Sequence, residues 1–136
     1  MAGRPQRDPA RELGEYFSGR PEVVLAYLFG SRAGGRPEPE SDYDFGILLR
    51  PGTEPACRYE LAHELGELLR AQGLDIVLLD GAPIELAFNV IAEGRLIYER
   101  DLAERVEFEA GVMSRYGDYL PVLRRQRQDV LKEAGV

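Results

Sequence analysis

The chain has 136 residues and a mass of 15.2 kDa, room for one domain with a real core but not for two. It carries 24 acidic against 17 basic residues, a formal net charge of −7, which excludes a protein that grips nucleic acid through a general basic footprint but not one that holds divalent cations. The single Cys57 excludes a disulfide scaffold and points to a reducing, cytoplasmic setting.

Residues 1–8 are polar and are expected to form a flexible lead-in, with a single domain over 9–136. The opening Met-Ala-Gly-Arg-Pro leads into no apolar stretch, so no secretory leader is expected. From Pro9 to Ser18, Leu13, Tyr16 and Phe17 fall at helical spacing, and Gly19 and Pro21 stop the run. Val23 to Phe29 is apolar on both faces, a buried strand far too short to span a membrane. The Gly- and Pro-rich residues 31–40 predict a loop, and 42–49 a second strand.

Glu54 to Arg70 reads as an amphipathic helix on Leu61, Leu65, Leu68 and Leu69, capped by Gly73. Leu74 to Leu79 comes next as a strand, then a helix from about Pro83 to Glu93 that stops at Gly94, then a short strand from Arg95 to Tyr98. From Asp101 to Glu133 the residues Leu102, Val106, Met113, Tyr116, Leu120, Leu123 and Val130 define one amphipathic helix, or two if Pro121 breaks it. This order predicts an α+β fold, a mixed sheet of about four strands covered by helices, ending in a long C-terminal helix.

The second strand carries the first chemical signal. Alternation puts Asp42, Asp44, Gly46 and Leu48 on one face and the apolar set Tyr43, Phe45, Ile47 and Leu49 on the other. Two carboxylates stacked on one face repel each other, a divalent cation relieves that, and Gly46 leaves room for a ligand. For Asp42 and Asp44 alone, a cation site and a solvated turn stand equally open. Asp75 tips the balance: it is the one charged residue in an otherwise apolar strand, where an unpartnered carboxylate is costly, the alternative being that it sits at the strand's exposed end near Gly73. Gly30-Ser31, at the end of the first strand, can turn the backbone and offer N–H groups and a hydroxyl to a phosphate.

The segment Tyr27-Leu-Phe-Gly-Ser-Arg, followed by Ser41-Asp-Tyr-Asp-Phe-Gly, resembles the minimal nucleotidyltransferases of the DNA polymerase β superfamily, which carry a Gly-Ser, ten residues, then Asp-x-Asp. The likeness continues through Leu74-Asp-Ile-Val-Leu-Leu and Gly94-Arg-Leu-Ile-Tyr, and covers about residues 10 to 125. It implies that Gly30, Ser31 and Arg32 bind the nucleotide, that Asp42 and Asp44 bind two magnesium ions, and that Asp75 is the third catalytic carboxylate and metal ligand. The chain departs from the family where Ala33-Gly34-Gly35-Arg36 shifts the second basic residue of the loop.

The residues after Asp75 are taken up by one strand and the helices of the sheet, so the acceptor is expected from outside. The family implies a partner, a HEPN-domain ribonuclease toxin silenced by transfer of AMP from ATP to a tyrosine. Two rivals stand beside this expectation: an antitoxin that acts by sequestration, and a small-molecule nucleotidyltransferase of the aminoglycoside type. A homodimer and a hetero-oligomer with the toxin are both left open. His63 and Cys57 read as ordinary helix residues, and the basic cluster Arg124, Arg125 and Arg127 as a solvated helix face ahead of its alternative, a contact with an acidic partner or a nucleic acid.

Overall fold

A computed structural model describes residues 8–30 and 43–133. Its elements are α1 (Ala10–Ser18), β1 (Val23–Phe29), β2 (Tyr43–Leu49), α2 (Cys57–Leu69), β3 (Leu74–Leu78), α3 (Ile84–Glu93), β4 (Arg95–Glu99) and α4 (Leu102–Glu133). The strands form one mixed sheet in the order β3-β2-β1-β4. β1 runs antiparallel to both β2 and β4, and β2 runs parallel to β3. The predicted fold class is the observed one.

β1 lies inside the sheet with helices over both faces, which is why it could be apolar on both sides. On one face Ala26 and Leu28 of β1 and Phe45 and Ile47 of β2 meet Leu13 and Phe17 of α1 and Leu61 and Leu65 of α2. The Phe17 and Phe45 rings meet edge to face at 6.1 Å. On the other face Leu25 and Tyr27 pack with Leu79, Val90 of α3 and Phe108 of α4. Each fully buried Leu, Ile or Phe contributes about 1.5–3 kcal/mol against leaving it in water.

Two details differ from the sequence expectations, and one alternative left open, at Pro121, is decided for the single long helix. The cap of α2 is Arg70, not Gly73: Arg70 takes the left-handed conformation (φ 51°) and its N–H closes the helix end. Pro121 does not break α4, which runs unbroken through it. The face of α4 also differs, since Val112 is its fully buried residue while Leu102, Val106, Met113 and Val130 are exposed. At the chain's start, Asp8 accepts two bonds from Arg95, at 3.0 and 2.7 Å, and one from the Ala10 N–H. Among the described residues no helix is long and apolar enough to cross a membrane.

Candidate active site

Burial of Tyr43, Phe45, Ile47 and Leu49 toward α1 and α2 fixes the pleat of β2. Asp44, Gly46 and Leu48 must then face α3 and α4, as the alternation predicts. On β3, Leu74 and Ile76 pack on the first face, which turns Asp75 to the same side as Asp44. The parallel register pairs Asp44 directly with Asp75, so the two carboxylates stand on adjacent strands about 4.8 Å apart in backbone spacing.

Gly30 completes this end of the sheet. Phe29 pairs with Asp44, and Gly30 turns off the strand with φ +80°, a conformation that costs other residues strain. A Cβ on Gly30 would stand 2.5 Å from Asp44 Oδ2. Only glycine lets the carboxylate lie over the end of β1. Three of the predicted site residues, Gly30, Asp44 and Asp75, thus converge on one end and one face of the sheet. Ser31, Arg32 and Asp42 lie outside the described residues.

The structure decides one alternative left open by the sequence and corrects one expectation. Asp75 is exposed on an edge strand, so no desolvation penalty demands a partner there; register, not burial, brings it to Asp44. Gly46 does not open space for a ligand either. A Cβ there would lie 2.8 Å from Val90 Cγ1 and 3.2 Å from Leu79 Cδ2, so the missing side chain lets α3 sit down on the sheet.

Behind the carboxylates lies a clamp that the sequence did not reveal. The Tyr27 hydroxyl donates to Glu109 Oε1 at 2.6 Å, and Arg105 donates to Glu109 Oε2 at 3.2 Å and to Glu99. The network ties β1, β4 and α4 together. Burial, and then the bond to Glu109, hold the Tyr27 phenol well above its ordinary pKa, so it stays a donor. The signal was a tyrosine inside an otherwise wholly apolar strand, since a buried hydroxyl needs a partner; nothing in the sequence pointed to Glu109. Phe88 of α3 and Tyr116 of α4 stack at 3.8 Å and hold those two helices to each other.

The donor set, carboxylate oxygens on neighbouring strands, is of the kind a hard divalent cation takes. Among the described residues no group of three or more His, Cys, Asp or Glu is placed to hold a metal ion. Asp44 and Asp75 supply two of the three predicted ligands.

The family model described as Polymerase beta, Nucleotidyltransferase matches residues 11–103. The chain belongs to that family. The match begins in α1 and ends at the start of α4, so it takes in the whole sheet and Gly30, Asp44 and Asp75. No curated protein matches the chain.

Among solved structures, a toxin–antitoxin complex with AMP-PNP contains a chain 24% identical, with a TM-score of 0.73 over 93% of this chain and 98% of that one. A toxin–antitoxin carrying two aspartate-to-glutamate substitutions gives 22% identity and a TM-score of 0.71 over 96% and 100% of the two chains. A complex of a tri-AMPylated HEPN toxin with an MNT antitoxin, from Shewanella oneidensis, gives 23%, 0.66, 93% and 96%. At these identities the likeness is one of fold. The nucleotidyltransferase domain here spans nearly all of each neighbour's chain.

Proposed function

We propose that this nucleotidyltransferase is an antitoxin that moves AMP from ATP to a tyrosine of a partner HEPN-domain ribonuclease toxin. The observation that carries the reading is the junction of Gly30, Asp44 and Asp75: a phosphate-compatible turn in contact with one carboxylate and in register with a second. Family membership supports nucleotidyl transfer. Support for the partner and the acceptor comes from the fold neighbours: one holds AMP-PNP, another accompanies a tri-AMPylated HEPN toxin. A third has two aspartates, two positions apart, changed to glutamate, the spacing of Asp42 and Asp44.

In this reading Asp42, Asp44 and Asp75 would hold two magnesium ions, which would supply neutralisation of charge on the triphosphate. The chain's own groups do the rest. Gly30, Ser31 and Arg32 bind the phosphates, a role that backbone N–H groups, a hydroxyl and a guanidinium can fill. Asp75 orients the acceptor hydroxyl and takes its proton. The acceptor oxygen forms a bond to the α-phosphorus as the bond to the β-phosphate oxygen breaks, and pyrophosphate leaves with the electron pair. The net acidic charge of −7 complements a basic RNA-cutting partner.

The test mixes the chain with its HEPN partner, ATP and magnesium and reads the partner's intact mass. An AMP increment that vanishes with Asp44→Ala is the expected result. No increment, with Asp44→Ala still silencing the toxin, would replace the reading by sequestration. Turnover of an aminoglycoside without any protein partner would replace it by the small-molecule enzyme.

A further inference from the structure

α4 carries more apolar surface than the body of the protein uses. It packs inward through Phe108, Val112 and Tyr116. A second stripe, Leu102, Val106, Met113, Leu120, Leu123 and Val130, recurs at steps of three, four and seven along all 32 residues of the helix. Most of it is open: Leu102, Val106, Met113 and Val130 are 51–64% exposed, and Leu120 and Leu123 are half-buried. A repeat of 3.5 residues is the pattern of a seam for another helix, because a straight helix against a sheet follows 3.6. Along one edge of the stripe Ala103, Ala110 and Gly117 recur at seven-residue intervals, small enough to let a neighbouring backbone come close.

We propose that the stripe pairs with the same stripe of a second copy of this chain, the two α4 helices running antiparallel. Charge selects both the occupant and the direction. Residues 101–112 carry Asp101, Glu104, Glu107 and Glu109 against Arg105, whereas residues 122–133 carry Arg124, Arg125, Arg127 and Lys132 against Asp129 and Glu133. The helix is therefore acidic at its start and basic at its end, inside a chain that is acidic overall. An antiparallel pair sets each acidic half against a basic half; a parallel pair sets like against like.

Side-chain register agrees. With the two-fold axis at Asp118, Val106 meets the second copy's Val130 and Met113 meets its Leu123. The paired stretch from Val106 to Val130 is about 36 Å long. The last turns of α4, where residues 124–133 are all exposed, would lie along the first turns of the other copy. The dimer stands whether or not the chain transfers a nucleotide.

Sedimentation equilibrium of the full chain tests this. The expected mass is twice 15.2 kDa, and Met113→Glu, at an exposed position, should return it to 15.2 kDa with an unchanged circular dichroism spectrum. Orientation is read in a Cys57→Ser background: Val106→Cys with Val130→Cys should oxidise to a covalent dimer, and neither single variant should. A chain monomeric at every concentration overturns the proposal. Crosslinking of the Val106→Cys single variant overturns the antiparallel arrangement. A monomer that instead binds a different helical protein, in a complex lost with Met113→Glu, gives the stripe to that partner and overturns the second copy.

Discussion

The two faces of the sheet are built from the same strands and do different work. Toward α1 and α2, β2 presents Tyr43, Phe45, Ile47 and Leu49 into a cluster that also holds Leu13, Phe17, Leu61 and Leu65, apolar throughout. Toward α3 and α4 the same strand presents Asp44 and Gly46, and the polar clamp of Tyr27, Glu109 and Arg105 stands nearby. Alternation of period two lets one strand serve both ends: the residues that bury on the first face aim the candidate site residues on the second. Stability and chemistry are thus separable by parity along β2.

Neighbouring substitutions on β2 test that separation most directly. Phe45→Ala empties a fully buried ring site and should cost about 4 kcal/mol, read from urea denaturation. Asp44→Ala, one residue away, empties no position of the apolar core and should change stability by less than about 1 kcal/mol. The same variant should lower AMP transfer by about a thousandfold. If Asp44→Ala unfolds the chain as Phe45→Ala does, the two faces are not separable.

Gly30→Ala comes next. The left-handed φ costs alanine about 1 kcal/mol, and its Cβ would press on Asp44 Oδ2. The carboxylate must swing aside, so transfer should fall by about a hundredfold while the urea midpoint moves only slightly. Unchanged transfer would show that the contact between Gly30 and Asp44 is incidental.

Much of this division could be read in the sequence, because it rests on short-range geometry. The parity of β2 needed only a handful of residues in a row, and the placement of Asp44 came with it. β1 as a doubly covered strand was equally plain, since no other position tolerates Val23 to Phe29 apolar on both sides. Features set by partners far along the chain escaped. Gly46 looked like space for a ligand because nothing local says that Val90, far along the chain, fills it. For Asp75 the apolar neighbours suggested burial and Gly73 an exposed strand end; β3 is an edge strand, and the position stays open to water. In α4 the periodicity found a real apolar stripe; the tertiary fold covers another, centred on Val112. Periodicity names the stripes a helix offers, and the sheet and α3 decide which one is used inside.

A smaller effect probes whether the chemical face also bears load. Tyr27→Phe keeps the ring in its buried site and removes the hydroxyl that donates to Glu109 at 2.6 Å. Arg105 still binds Glu109, so the carboxylate is not abandoned, and the loss should be about 1–2 kcal/mol. A loss as large as that of Phe45→Ala would show that the clamp carries as much stability as the aromatic core opposite.

The smallest effect lies at the rim, where Asp8 meets Arg95. The bonds from the Arg95 guanidinium, then that from the Ala10 N–H, hold the Asp8 carboxyl below its usual value of 3.8. A carboxylate whose pKa is lower in the folded state stabilises the fold above its unfolded pKa, and that contribution disappears as pH falls through the lower folded value. Both side chains are about half exposed, so water and salt screen the pair and its contribution is slight. Asp8→Asn should therefore lower Tm marginally at neutral pH, and the gap from the parent should close as pH drops below about 3.8. Such closure would assign the pair to the rim, outside both faces. A gap that persists at low pH would mean that the Asp8 charge is not the source of the effect, and that the side chain acts through packing against α1 instead.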